Sequence, residues 1–222
     1  MYSLDSDSIN FSGGNSVNSN FDLDSTIGEI SSGTSSSALY ALSTAGFLQQ
    51  DSSTISLSLS ENNVTMSPSL GGLTGGYSNG SVSLNVVTDS TSGYTLFVQT
   101  EGSPALQSVD DSFANYSPSG SNPDYDYSVV AGQSNFGFSV EGGDINSRFK
   151  DNGSVCSAGS YDTSGKCWDG FSTSVKVIAG SNASNGPTGT ETVLKFRAGV
   201  GAGKAQKQGD YYATTTITAV AN

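Results

Sequence analysis

The sequence predicts an all-β fold: a β-sandwich, immunoglobulin-like or jelly-roll-like, preceded by a strand-forming N-terminal repeat arm. Three observations lead there. Charged residues are only 13% of the 222 and hydrophobic residues 34%, too little charge for a self-repelling disordered chain; the polar content is instead Ser, Thr, Asn and Gly, which suit solvent-facing strand positions and tight turns. No window sustains the 3.6-residue apolar stripe of an amphipathic helix. Short runs of alternating apolar and polar residues recur between Gly-, Ser-, Asn- and Pro-rich joints.

The arm, residues 1–50, comes first. Tyr2-Ser-Leu4, Phe21-Asp-Leu23 and Tyr40-Ala-Leu42 follow one another at intervals of 19 residues (21 − 2 and 40 − 21). In an extended chain the aromatic and the Leu of each triplet share one face. A Ser-Gly stretch inside each unit reads as a turn, so each unit is a hairpin or a strand with a return. A lone hairpin is marginal in water, and the arm is therefore expected to need a partner surface, that of another copy of the chain. The expected subunit-interface residues are Tyr2, Leu4, Ile9, Phe21, Leu23, Ile27, Tyr40, Leu42 and Phe47.

The body, residues 51–222, supplies the sandwich. "TISLSLS" (54–60) places Ile55, Leu57 and Leu59 on one face. Further strands are expected at "NVTMS" (63–67), "SVSLNVVT" (81–88), "GYTLFVQT" (93–100), "DYSVVA" (126–131), "NFGFSVE" (135–141), "STSVKVIAG" (172–180), "ETVLKFRA" (191–198) and "DYYATTTITAVA" (210–221). Between them lie turn-forming segments such as "GGLTGGYSNG", "SPSGSNPD" and "GAGKAQKQG". Short strands at near-regular spacing are the pattern of a sandwich or barrel.

Charge is unevenly placed. Net charge is −12; the first cation is Arg148, so residues 1–147 carry fifteen carboxylates and no cation, while residues 148–222 carry eight cations and five carboxylates. Nucleic acid is excluded as a partner, because phosphate binding needs a large cationic footprint. An acidic and a mildly basic end favour head-to-tail stacking. The expected electrostatic interface sets Asp22 and Asp24 of the arm against Lys195, Arg197, Lys204 and Lys207 of the body.

Cys156 and Cys167 flank a Gly/Ser-rich, turn-like segment. No His accompanies them and their spacing is not Cys-x-x-Cys, so they are expected to form a structural disulfide, which implies an extracytoplasmic, oxidising compartment. No apolar stretch is long enough to span a bilayer. The opening "MYSLDSDS" lacks a basic region and an apolar core, so the signal peptide of an exported, cell-surface protein is expected to be absent from this chain.

Chemistry has few candidates. The chain contains no His, which removes the base of Ser- and Cys-nucleophile catalysis and the commonest metal ligand. Asp110/Asp111, Asp124/Asp126 and Glu141/Asp144 are the carboxylate pairs, all in expected turns, where carboxylates are ordinarily solvated; no enzyme is expected. "AGVGAGKA" (198–205) imitates a phosphate loop but lacks the first Gly, the Ser/Thr and the following helix. The acidic turns, notably "NPDYDY", carry oxygen ligands of the kind a structural calcium uses, without an EF-hand or nonapeptide pattern; no metal site and no cofactor are assigned. Trp168, directly after Cys167, either stacks on a sugar ring or a neighbouring subunit, or covers the disulfide.

The pattern "YSLDSDSINFSGG…NFDLDSTIGEISSG…SSSALYALSTAGFLQQ" resembles the N-terminal region of secreted surface proteins of uncultured, genome-reduced bacteria. The closing "GDYYATTTITAVAN" is similar to the ends of exported fibre-forming β-sandwich proteins, including biofilm-matrix fibres and chaperone-assembled pilins. The resemblance implies an extracellular structural protein in which one subunit donates a strand to the next, with no catalytic residue to carry over. The leading expectation is a homopolymeric filament or surface-layer subunit built by strand addition. The alternative is a monomeric adhesin or carbohydrate-binding sandwich that touches surface glycan through the loops near Trp168 and "NPDYDY".

Overall fold

The computed structural model describes residues 53–71 and 73–222 in full and, before them, the backbone of four strands between residues 14 and 44. The chain divides into two compact units, Met1–Ser53 and Thr54–Asn222. In the first, β1 (Gly14–Asn18), β2 (Phe21–Ser25), β3 (Gly33–Ser36) and β4 (Ala41–Thr44) form one antiparallel sheet in chain order. Asn18 pairs with Phe21, Leu23 with Ser35, and Ser35 with Leu42. β2 and β3 thus have neighbours on both edges, and the second 19-residue unit contains both.

The second unit is all-β, apart from one 3₁₀ turn (Ser147–Phe149), and has two sheets, the larger curled into a half-barrel. The larger holds β5 (Ile55–Leu59), β6 (Gly76–Thr88), β8 (Leu106–Gln107), β9 (Ser112–Asn115), β10 (Ser134–Gly142), β11 (Asp169–Gly170) and β13 (Thr190–Val200). Their order is β5-β6-β13-β10-β9-β8, with β11 paired to β10. The smaller sheet is β7 (Tyr94–Thr100) flanked by β12 (Lys176–Ser181) and β14 (Thr215–Ala221). Among the described residues only β9 and β10 pair in parallel.

Alternation explains the core. β7 buries Tyr94, Leu96, Val98 and Thr100 and half-buries the residues between. Leu84 and Val86 of β6, Leu194 of β13 and Phe138 of β10 join Leu96 and Val98 of β7 and Ile178 of β12 in one continuous apolar cluster, so both sheets contribute to a single core. Each of these side chains contributes about 1.5–3 kcal/mol relative to exposure.

The segment between β10 and β12 wraps the end of the larger sheet: Gly165 and Trp168 lie against Glu141 and Arg197 on its outer face, while Phe149 and Phe171 pack on Phe138 in the core. It is fastened by the Cys156–Cys167 disulfide (Cα–Cα 5.6 Å), as the spacing led one to expect. Asp151 is the internal post of this segment: fully buried, it accepts from the backbone N–H groups of Gly153 and Thr163 and from the Thr163 hydroxyl. Gly170 is required where β11 passes Tyr116, the residue after β9, since a Cβ there would lie 1.7 Å from Tyr116 O.

Two expected strands are absent. "NVTMS" pairs only through Ser67, which bridges Asn79; Val64 and Met66 instead pack against the core. "DYSVVA" is irregular because Tyr127 is taken into an aromatic cluster, its hydroxyl donating to Asn135 O at 2.6 Å. β6 begins earlier than expected, at Gly76, because its glycine- and asparagine-rich first half pairs with β13 along its whole length.

Candidate functional site: two open strand edges and a cleft

The two sheets end in β5, β8, β12 and β14, with two-residue β11 branching from β10, and two of those four ends are covered. β12 is closed by the chain at Asp144–Asn146: Gly180 N–H donates to Asp144 O, and Asn146 N–H to Ile178 O. β8 is closed by Tyr212, which exchanges two backbone hydrogen bonds with Gln107. Among the described residues, β5 pairs with nothing but β6, and β14 with nothing but β7.

Which backbone groups face the open side follows from the ladder. Asn222 N–H donates to Gly93 O, and Thr214 O accepts from Glu101 N–H. In antiparallel pairing a residue's N–H and C=O point the same way and alternate along the strand. Thr216, Thr218 and Val220 therefore bond to β7, and Thr215, Ile217 and Ala219 aim theirs outward. On β5 the bonds of Thr54 and Ser60 to the β6 side likewise leave Ile55, Leu57 and Leu59 facing out. The residues that aim backbone outward on β14 are also those whose side chains are half-buried, while Thr216, Thr218 and Val220 are exposed.

β5 and β14 approach one another along part of their length. Where they diverge, a cleft of about 960 Å³ opens. Leu59, Val64 and Met66 form one wall, Ala213, Thr215 and Ile217 the other. The floor is the inner face of the larger sheet, including Val82 of β6, Leu194 and Phe196 of β13 and Phe136 of β10. Gly80 allows the wall its position, because a Cβ there would lie 2.6 Å from Val64 Cγ1. Leu59 (41% exposed) and Tyr212 (73%) stand at the rim, apolar groups that a closed sandwich edge would not show. Rim charge is mixed, with Glu61, Lys207 and Asp210.

The residues expected to form the electrostatic interface are placed differently from one another. Lys195 is ion-paired with Glu141 and bonded to Ser164 Oγ. Burial alone would raise the Glu141 carboxyl, but the hydrogen bonds from Lys195 and the Gly165 N–H outweigh it and hold it below its ordinary range. Arg197 donates to Asn79 Oδ1 at 2.7 Å and lies 4.3 Å over the Trp168 ring, with Tyr77 and Tyr127 on its flanks. Both cations are thus engaged inside the body. Lys204 and Lys207 lie in the loop after β13, and the backbone N–H of Lys207, lining the cleft, donates to Asp111 Oδ2 at 3.0 Å. Asp22 and Asp24 are on β2, paired in register with Val17 and Asn15. Phe21 and Leu23 occupy β2 and Leu42 β4; Tyr2, Leu4, Ile9, Ile27, Tyr40 and Phe47 lie outside the described residues.

Trp168 is 1% exposed. Its Nε1–H donates to Gly165 O, and its ring packs edge-on against Tyr127. A sugar-stacking Trp168 is therefore overturned: the indole is consumed beneath Arg197 and the disulfide segment. The carboxylate pairs are split among structural tasks. Asp111 caps the loop at Ser112 and Lys207, Asp124 accepts from Tyr116 Oη and Ser119, and Asp144 receives the Tyr94 hydroxyl. Among the described residues no three of His, Cys, Asp and Glu gather as a metal would require, and no helix is long and apolar enough to cross a membrane. Comparison with known proteins finds no matching family model, no matching curated protein and no matching solved structure.

Sequence reasoning missed the walls and floor of the cleft. "TISLSLS" and "TTTITAVA" were legible as strands, but that they are edges depends on pairing as far apart as Tyr94 and Ala221, 127 residues (221 − 94).

Proposed function

We propose that this chain is a structural subunit of an extracellular filament or surface layer, in which a strand from one copy completes the body of the next. On this reading the body is a β-sandwich left open where the end of β5 and the start of β14 line the cleft. The observation that carries it is the pair of open edges flanking an apolar-floored cleft, in a fold that covers its other two edges with its own backbone. Exposed edges invite pairing with another chain, and natural proteins ordinarily blunt them. Here β5 and β14 carry Ser and Thr on their outward faces, with no Lys, Pro or inward charge to prevent pairing.

A small apolar ligand would fill the floor and leave both rows of backbone groups without partners. An extended peptide satisfies both, with backbone bonds giving affinity and alternate side chains giving register. Each new backbone bond contributes about 0.5–1.5 kcal/mol net, against an association cost of about 4–15 kcal/mol. Bonding to one edge meets at best the lower part of that cost, so the incoming strand must bury apolar side chains in the cleft as well. Such a contact joins two different surfaces, and it propagates instead of closing. The disulfide supports an oxidising, extracellular setting.

Negative-stain microscopy of the full chain at increasing concentration tests the reading. Filaments or sheets are expected; particles of single-chain size at every concentration would contradict it.

A further inference from the structure

We infer that the outer face of β6 and β13 carries a binding site for an acidic sugar, in which Arg197 takes the carboxylate of a uronic-acid unit and Tyr77 supports its ring. The site lies on the opposite face of the larger sheet from the cleft and does not depend on strand addition.

The guanidinium is built in place. It lies 4.3 Å over the Trp168 ring and 5.6 Å from the ring centres of Tyr77 and Tyr127, and its Nε–H donates to Asn79 Oδ1 at 2.7 Å. Arg197 and Asn79 stand opposite one another in the register of β13 and β6, and Tyr77 is two residues along β6 on the same face. Gly199, opposite Tyr77, lets the rings close in, since a Cβ there would lie 2.9 Å from Tyr127 Cε1.

What the guanidinium lacks is an acid. Arg148 and Lys176 are paired with Asp169, Lys166 with Asp126 and Lys195 with Glu141. Arg197 has no carboxylate partner among the described residues, in a chain with 20 carboxylates against eight cations. Burial pulls its pKa below the ordinary value, so this cation is partly desolvated and uncompensated. Nε is engaged, but the two terminal nitrogens donate to no described residue and are not shut off from solvent. They present the planar fork that binds a carboxylate through two parallel hydrogen bonds.

The surroundings select a sugar over a peptide. Around Asn79, β6 is bonded to β13 on one side and to Ser67 on the other, so this face offers an incoming chain side chains and no backbone groups. Asn79 and Ser81 are exposed and uncharged, an amide and a hydroxyl suited to ring hydroxyls. Same-face side chains two residues apart stand about 6.8 Å from one another, so Tyr77, Asn79 and Ser81 form a flat track. Tyr77, 42% exposed, gives the C–H face of a sugar ring an apolar surface beside the guanidinium. A net charge of −12 repels a long polyanion at a distance; the site therefore suits one uronate unit in an otherwise neutral glycan.

The test titrates the full chain with methyl β-glucuronide, methyl β-glucoside, acetate and the blocked amino acid acetyl-glutamate amide. Emission of Trp168, the chain's single Trp, reads the event, because the indole lies directly beneath the guanidinium. A saturable change with the glucuronide is expected, with binding of the other three weaker by roughly tenfold or more. Asn79→Asp sets a carboxylate against the guanidinium from within the chain. It is expected to weaken the glucuronide by roughly tenfold or more while the melting temperature holds or rises. Glucoside binding as tight as the glucuronide, or unchanged glucuronide binding in Asn79→Asp, would overturn the role of Arg197. Acetate or the blocked glutamate binding as tightly would overturn the sugar. No saturable response to the glucuronide, by emission or by calorimetry, would overturn the site altogether and leave the filament reading untouched.

Discussion

The two covered edges of the body and its two open ones belong to the same molecule and contrast sharply. At β12 and β8 the chain returns to satisfy its own backbone, through Asp144–Asn146 and through Tyr212. At β5 and β14 it passes by: after Ser60 the chain leaves β6, loops over Gly80 and rejoins only at Ser67. The same difference separates the two faces of the larger sheet. Its outer face is covered around Arg197 and Glu141 by Trp168, Tyr127 and Gly165, whereas part of its inner face lines a cleft. A chain able to close two edges and one face so thoroughly has the means to close the rest, which makes the open pair informative.

If the contrast is real, substitutions on the sealed side should cost stability, and substitutions on the open side should cost assembly alone. The largest effect on folding is expected from Trp168→Ala, which empties a buried site beneath Arg197 and against Tyr127: a loss of about 3–5 kcal/mol, seen as a lowered denaturation midpoint. Opening the disulfide by Cys156→Ser with Cys167→Ser is expected to cost about 2–3 kcal/mol for a loop this short, read as the shift between oxidised and variant melts.

Asp151→Asn comes next, at about 1–3 kcal/mol, because the amide replaces one accepting oxygen by an NH2 donor that faces the Gly153 or Thr163 donors. The same post gives the segment a pH dependence. Burial would raise the Asp151 carboxyl, but the Thr163 and Gly153 hydrogen bonds more than offset this and hold it below its ordinary value; Glu141 is depressed in the same sense. A carboxyl whose folded pKa lies below its unfolded one stabilises the protein above the unfolded pKa, and that contribution is lost as pH falls through the folded pKa. Stability is therefore expected to hold at neutral pH and to fall below about pH 4, the ordinary carboxylate range, with a weaker fall in Asp151→Asn when unfolding is followed against pH. The smallest effect on folding belongs to Val220→Lys, exposed on the outer face of β14: within about 0.5 kcal/mol. A measured cost of several kcal/mol there would show that β14 is not a tolerant open edge.

Much of the fold was legible before any coordinates. Strict alternation marks β5, β7 and β14, since half-buried strands must alternate, and the two cysteines with no His in the chain pointed to their own disulfide. Other elements depend on tertiary context. "GGLTGGYSNG" has turn chemistry, yet its second half, Gly76–Gly80, is strand, because β13 holds it in register. "DYSVVA" has strand chemistry, yet aromatic stacking of Tyr127 on Tyr116 claims it. Trp168 beside a cysteine fits either a binding platform or a cover, and only burial separates them. The cleft was the least legible part, since its floor residues look like ordinary core and its walls come from opposite ends of the body.

The most direct test is residue-level amide hydrogen exchange, compared between assembled and unassembled full-length chain. Thr216, Thr218 and Val220 already bond to β7 and should exchange slowly in both states. Leu57, Leu59, Thr215 and Ile217 should exchange fast in the unassembled chain and become protected on assembly. Assembled material in which those four amides still exchange freely would contradict the account, because the copies would then be held together by some other surface.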